Sequence, residues 1–446
     1  MANSRKSTFN LQQRVVDALT AIVPQGSSIL LGLSGGVDSV VLLHLLAQIS
    51  PRFSWRISAL HVHHGISEHA DECSEFCTEL CAGYSIPLSV ERVDISLLRD
   101  MGLEAAARKL RYAAFARQPA DFIALAHHRD DQVETLLLQL LRGAGVRGAS
   151  GMALLQARKN LPSLLRPLLG SERSELEDYA CESGLKWVED DSNVDVDYPR
   201  NFLRHEVLPV LSLRFPAFRT TLARSSRHFA EATELLDELA LQDSIGAVKD
   251  DLLEVAALRQ LSSARGKNLL RHYLAARGAP IPDSSRLAEM LRQLCEAGAG
   301  AQIRITWQDW QLRCYRGKAC ALPVLLPAEN FTIFWQGEAE VSLPASHGVL
   351  QFERATGQGL SLSKLRQDTV SIRSRLGKES LKLDGARPRQ SLRNLLQQQG
   401  VPPWYRTLLP LLYCGDELIQ VPGVASAAAY LAQEGEAGVL LRWEYK

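Results

Sequence analysis

The chain has 446 residues, room for two or three domains. Its hydrophobic share of 46% and charged share of 22% belong to a globular protein, and its zero formal charge excludes a chain that holds nucleic acid by bulk charge. A secretory leader, a membrane span and a disulfide framework are equally unsupported: no apolar run follows the basic N-terminal residues, and the eight cysteines lack framework spacing, so a reducing cytoplasm is the expected compartment.

Apolar runs at 28–33 (SILLGL), 56–62 (RISALHV), 87–93 (PLSVERV) and 121–126 (DFIALA) read as buried strands. Helical spacing fills the intervals near 38–49, 68–83, 103–118 and 130–142. This alternation predicts an α/β doubly wound parallel sheet, whose ligands bind at the carboxyl ends of the strands. Farther on, 220–242 and 251–277 read as helices, and 302–315 as a short antiparallel pair. The prolines of 323–330 suggest a linker, and 331–446 mixes short strands with a helix near 388–399. The expected domains are 1–215, a mostly helical middle domain at 216–330, and a small α+β domain at 331–446.

The stretch LGLSGGVDSV (31–40) joins the first strand to the next helix. It has the small residues of a phosphate loop but no Walker lysine. Ser34, Gly35, Gly36, Val37 and Ser39 offer close backbone approach, hydroxyls and a helix N-terminus to an anion. Asp38 would repel a phosphate directly, so its expected role is to hold Mg2+ bridging the phosphates of ATP. Such a loop suits departure of a whole pyrophosphate. The alternative is a Gly-Gly turn capped by Ser and Asp. SGGVDS resembles the PP-loop of the N-type ATP pyrophosphatases.

Further stretches narrow the resemblance: HVHHGIS (61–67), EAAARKLRY (104–112), HHRDDQVET (127–135), RGAGVRGASGM (142–152), YPRNFLRHEVLP (198–209) and SLRNLLQQQGVPPWYRTLLPLLY (391–413). Together and in this order they resemble the tRNA(Ile)-lysidine synthetase family over nearly the whole chain. The resemblance implies adenylation of the wobble cytidine of a CAU-anticodon tRNA(Ile) by ATP. Attack by the amine of free L-lysine follows, giving lysidine, AMP and pyrophosphate and changing decoding from AUG to AUA. The chain departs from the family at Ser67, where an arginine is usual, and at GASGM in place of GLxGM.

The residues fit such chemistry. Arg108 and Arg111 lie on nearby helix faces, with Glu104 one turn before Arg108, and suit charge spread over a phosphoryl group. A solvated helix with an ion pair is the alternative. Asp131 and Glu134 are three apart at a helix start, so both carboxylates face one way, toward magnesium or the lysine ammonium. Asp130 reads as a complement to the helix dipole. His127 and His128 are candidates for the base that takes the lysine proton.

GAGVRG (143–148) follows a helix, so a dinucleotide fingerprint is rejected; a loop with Arg142 and Arg147 on phosphates is expected. Cys73, Cys77 and Cys81 form a helical core stripe, and no ligand completes a zinc site with His61, His63 and His64. Basic sectors remain. Between Tyr198 and His228 six arginines face one acid, and between Leu362 and Arg393 nine Lys or Arg face three acids. Arg200, Asn201, Arg204, Lys378, Arg393 and Arg406 are the expected tRNA contacts. Trp404 and Tyr405 read equally as base-stacking rings or as buried aromatics, and homodimerisation stays open. The competing readings are a non-catalytic ATP-liganded RNA-binding protein and another PP-loop tRNA-modifying enzyme; a thiolase would need a C-x-x-C pair, which the chain lacks.

Overall fold

The computed structural model describes residues 2–65, 69–96, 98, 102–189, 195–298, 301–344, 347–383 and 388–444, excepting the side chains of 2–9 and 104. Ser67, the departure noted above, and part of the acidic run before Tyr198 lie outside the described residues. Two compact units divide between Leu236 and Asp237.

The first unit contains, in chain order, α1 (Ala2–Thr20), β1 (Ser28–Gly32), α2 (Val37–Phe53), β2 (Arg56–His63), α3 (Ala70–Gly83), β3 (Leu88–Arg92), α4 (Leu103–Arg117), β4 (Phe122–Ala124), α5 (Arg129–Leu141), α6 (Val146–Ala149), β5 (Leu155–Gln156), β6 (Ser163–Leu165) and α7 (Arg173–Glu182). They are followed by α8 (Pro199–Phe202), a π-turn (Leu203–Val207), α9 (Leu208–Arg214) and α10 (Phe218–Ser244), inside which the division falls. The six strands run β3-β2-β1-β4-β6-β5, parallel except for β5 against β6. This is the doubly wound sheet that the alternating periods predict. Both faces of β1 are covered: its Leu31 joins a core with Leu42, Leu45, Leu46 and Ile49 of α2, and its Leu30 packs with Leu60, Phe115 and Ile123. Each such buried side chain contributes about 1.5–3 kcal/mol before entropy is counted.

The sequence reading omits several elements of this unit, α1, β6 and α7 among them. Helix α1 is polar on average, yet Leu11, Val15 and Leu19 form a buried stripe one turn apart, and Arg14 donates to Glu175 of α7 at 3.0 Å. Strand β6 has three residues, too few to show a period, and ten-residue α7 buries only Leu176, Tyr179 and Ala180.

In the second unit an antiparallel sheet of five strands, which includes Leu252–Glu254, Ile303–Trp307, Trp310–Tyr315 and Lys318–Pro323, supports helices at Val255–Gln260, Ser263–Ala276 and Ser284–Glu296. Leu287, Met290, Leu291 and Leu294 present the buried stripe of the last helix, and Asp283 caps it by accepting from the Arg286 amide at 2.8 Å. The pair at 302–315 is present; the expected helix at 251–277 begins instead as a strand. Toward the C-terminus, antiparallel strands such as Val349–Thr356, Val370–Arg373, Leu411–Cys414 and Ala437–Glu444 enclose Leu350, Ile372, Leu412 and Val439. Among the described residues no helix is long and apolar enough to cross a membrane.

Candidate active site

At the carboxyl end of β1 the chain turns through Ser34, Gly35 and Gly36 into α2. Gly35 has φ +85°, a region that side chains rarely adopt, and a Cβ there would sit 2.8 Å from the Cys73 sulfur. Its carbonyl accepts from the Val188 amide at 3.0 Å. Ser39 is buried and closes the loop: its hydroxyl donates to the Gly36 carbonyl at 2.9 Å and receives the Ser34 amide at 3.2 Å. Among the loop hydroxyls, Ser34 is therefore the exposed one, beside the unpaired first-turn amides of α2.

The loop borders a cavity of about 720 Å³, lined among others by Asp38, Arg108, Arg111, His127, Asp131 and Arg200. The four motifs of the first 150 residues thus meet in space. Asp38 points one carboxylate oxygen, Oδ2, at His128 Nε2, 3.5 Å away, while Oδ1 is buried without a hydrogen-bond partner. An orphaned carboxylate oxygen beside a phosphate-type loop is the donor that a hard divalent cation takes, so Asp38 fits Mg2+.

His128 is 1% exposed and surrounded by carboxylates: Asp131 at 3.4 Å, Asp38 at 3.5 Å and Asp130 at 3.6 Å. Burial opposes its charge, but Asp130, Asp38 and Asp131 outweigh burial and push its pKa up to about 10. His127, bordering the cavity, goes the other way. Burial drives it down to about 3, Asp131 pulls against that, and Arg166, Arg200 and Arg108 add to it. One histidine of the pair is a structural cation and its neighbour a neutral imidazole.

Asp131 and Glu134 do face one way, as their spacing predicts, and what they face is Arg200 and Arg204. Arg200 donates to Glu134 at 2.7 Å and to Asp131 at 3.1 Å, and Arg204 holds both Glu134 oxygens at 2.8 and 3.0 Å. Residues expected on a tRNA backbone thus contact residues expected on magnesium or lysine. Asn201 lies between them and donates to the Asp195 carbonyl at 2.9 Å. Asp130, expected only to complement the helix dipole, also pairs with Arg219 and accepts from the Arg173 amide at 3.1 Å.

Arg108 lies over the Tyr112 ring, 5.1 Å from its centroid, and Tyr112 borders the cavity. Arg142 and Arg147 are exposed at the turn around α6, and Lys378 and Arg393 are exposed in the second unit. Arg406 is committed internally, donating to the Val401 carbonyl at 2.8 Å and the Tyr315 hydroxyl at 2.9 Å. Trp404 is buried against Cys320 and Leu322, which settles it as a packing residue. Sequence reasoning missed Tyr112 and Arg173 as cavity residues; the tyrosine ending the motif EAAARKLRY was the available signal.

A glycine turn feeding a helix, a carboxylate with a free oxygen and a pair of arginines over one cavity define a PP-loop ATP-binding enzyme, and a PP-loop domain model matches residues 6–211. The TilS substrate binding domain matches 253–320, and the TilS substrate C-terminal domain matches 370–443. Proteins named tRNA(Ile)-lysidine synthase are similar over almost the full length. That of Nitrosomonas europaea is 45% identical, covering 95% of this chain and 93% of the relative. That of Coxiella burnetii is 37% identical, covering 92% of each. Among solved structures, a U34-tRNA thiolase of Methanococcus maripaludis covers 51% of this chain and 80% of its own at 16% identity and a TM-score of 0.44. The chain belongs to the tRNA(Ile)-lysidine synthase family, whose members are ATP-using ligases of tRNA modification.

Two outcomes test this geometry. Gly35→Ala forces a side chain into a left-handed backbone and against a thiol; it should cost about 1–3 kcal/mol in urea unfolding and weaken ATP binding. For His127 the folded state holds the neutral form, whereas the unfolded chain takes up a proton below about pH 6.5. Its burial therefore withdraws stability as pH falls from about 6.5 toward 3. His127→Asn should lose less melting temperature between pH 7 and about pH 5 than the parent, and equal losses would remove this account.

Proposed function

We propose that this enzyme adenylates the wobble cytidine of the CAU-anticodon tRNA(Ile) on its C2 oxygen and then joins free L-lysine to C2. The products are lysidine, AMP and pyrophosphate, and the tRNA then reads AUA rather than AUG. The observation that carries the reading is the buried, unpartnered Oδ1 of Asp38, beside the Gly35–Gly36 turn and in the cavity shared with Arg108, Arg111 and Asp131.

In this reading ATP lies with its β- and γ-phosphates on the Ser34–Ser39 turn, where Ser34, the amides of Gly36 and Val37 and the α2 N-terminus receive the charge. Asp38 would hold Mg2+, which supplies charge neutralisation to the departing pyrophosphate. Arg108 and Arg111 stabilise the negative charge that builds at the α-phosphate as the cytidine oxygen bonds to phosphorus and the bond to pyrophosphate breaks. Tyr112 beneath Arg108 restricts where that guanidinium can go.

The second step needs lysine with a neutral ε-amine, while its α-ammonium and α-carboxylate remain charged. The Asp131–Glu134–Arg200–Arg204 network offers both signs of charge at once and suits a zwitterion. The amine bonds to C2, AMP leaves with the C2 oxygen, and the amine's proton must be removed. His127 borders the cavity and stays neutral, but a pKa pushed down to about 3 makes it a weak proton acceptor, so in this reading the proton passes to solvent. Exposed Arg142 and Arg147, with Lys378 and Arg393 of the second unit, are assigned to tRNA phosphates.

Incubation with ATP, lysine and the CAU-anticodon tRNA should release AMP and yield a modified cytidine. ATP bound without AMP release would favour a non-catalytic RNA-binding protein. Asp38→Ala should lower turnover by roughly 10²–10³-fold or more with tRNA affinity little changed. A near-normal rate would remove the metal-holding role. Arg147→Ala should weaken tRNA binding uniformly across sequences and reduce the salt slope by about 1, measured by filter binding over a salt series.

A further inference from the structure

Behind the phosphate-type loop, three sulfur and nitrogen ligands from two segments, α3 and β2, converge. Cys73 and Cys77 lie one turn apart on one face of α3, the i,i+4 spacing by which a helix presents two ligands to one metal. His61, from the carboxyl half of β2, completes the group: its Nδ1 is 3.6 Å from the Cys77 sulfur, and all three ligand atoms lie within 4.8 Å of one another. A tetrahedral site with Zn–S and Zn–N bonds of ordinary length sets its ligand atoms about 3.6–3.8 Å apart. The Cys77–His61 pair already meets that spacing, and the rest needs small side-chain rotations. Cys77 and His61 are buried, whereas Cys73 is half-buried and borders the cavity, which leaves the fourth position open on that side.

Two of these ligands also hold the loop. The Cys73 thiol donates to the Ser34 carbonyl at 3.0 Å, and His61 Nδ1 donates to the Leu33 carbonyl at 3.0 Å. A metal takes the place of those donated protons, so its arrival releases both carbonyls. Each loses a hydrogen bond beside Gly35, where even an added Cβ would come within 2.8 Å of the Cys73 sulfur.

We propose that Cys73, Cys77 and His61 bind one thiophilic divalent cation, of the zinc and cadmium class, and that its binding displaces the Leu33–Gly35 turn and opposes ATP. Each bound thiol gives up its proton to solvent and each sulfur donates a lone pair, so no oxidant is needed. The second half of the proposal rests on the loop being the ATP phosphate site. Spacing along the chain hides the cluster, because the cysteines and the histidines fall in different motifs and each set alone is incomplete.

The test is a cadmium titration of the full-length, nucleotide-free protein, following cysteine-to-cadmium charge-transfer absorption and binding stoichiometry. ATP affinity is then measured with and without the bound metal. One equivalent should bind, and the band should be lost in Cys73→Ser and Cys77→Ala but kept in Cys181→Ser, which alters an exposed cysteine. ATP affinity should fall about tenfold or more with cadmium in the parent and stay constant with cadmium in Cys73→Ser. Because Cys77 is fully buried, the half-buried Cys73→Ser decides the matter if Cys77→Ala does not fold. A band that survives Cys73→Ser overturns the site. A site-specific band with unchanged ATP affinity overturns the coupling, and the effect of Gly35→Ala on ATP affinity in metal-free protein then shows whether the loop reading fails as well.

Discussion

Four carboxylates, those of Asp38, Asp130, Asp131 and Glu134, crowd one end of a parallel sheet, and the cations that neutralise them fix the geometry of the site. An unpaired buried carboxylate costs several kcal/mol, a large part of what a domain has in hand. Here His128 sits among three of the acids, Arg200 and Arg204 grip Asp131 and Glu134, and Arg219 meets Asp130. The arginines come from α8, the π-turn and α10, far along the chain from α5. The apolar cluster around Val133, Leu208 and Phe218 is small by comparison. Charge pairing therefore sets the placement of these segments against α5.

Stability alone does not explain such an arrangement, because well-packed apolar residues in place of a buried ion-pair network are often as stable or more so. What the network supplies is a set of directional groups, of which Asp38, Asp131, Arg200 and Arg204 border the cavity while buried Glu134 and His128 hold them in place before any substrate arrives. The same logic separates the adjacent histidines. Three acids hold His128 charged, whereas burial and nearby arginines hold His127 neutral, so a cation and an uncharged imidazole stand side by side.

The parts of this protein legible in its sequence are those whose cause is local. Strand and helix alternation gave the sheet, and SGGVDS with its flanking elements gave the loop, because a left-handed Gly35 and a helix N-terminus are set by neighbouring residues. Spacing also predicted that Asp131 and Glu134 share a face. What that face meets was not legible: Arg200 and Arg204 lie some seventy residues later, and their charge density alone reads equally well as a nucleic-acid patch. Arg406 shows the same ambiguity, since nothing local reveals that its guanidinium goes to Val401 and Tyr315. Strand β6 is too short for any period, and α1 hides a sound three-residue stripe under a polar average.

Under the proposed reading, the balance of the network also favours one kind of ligand over others. A bare cation entering between Asp131, Glu134 and their arginines would take the acids and leave two guanidinium groups unpaired. A bare anion would do the reverse. An amino acid brings one charge of each sign, so each contact it displaces is replaced by a contact of the same kind, at little net cost. Discrimination follows without a dedicated steric filter: an amine lacking the carboxylate, or a peptide lacking the free ammonium, restores only half of the exchange. The side-chain amine, which must be uncharged to react, is then the part of lysine that these charges leave unheld and able to reach the activated base.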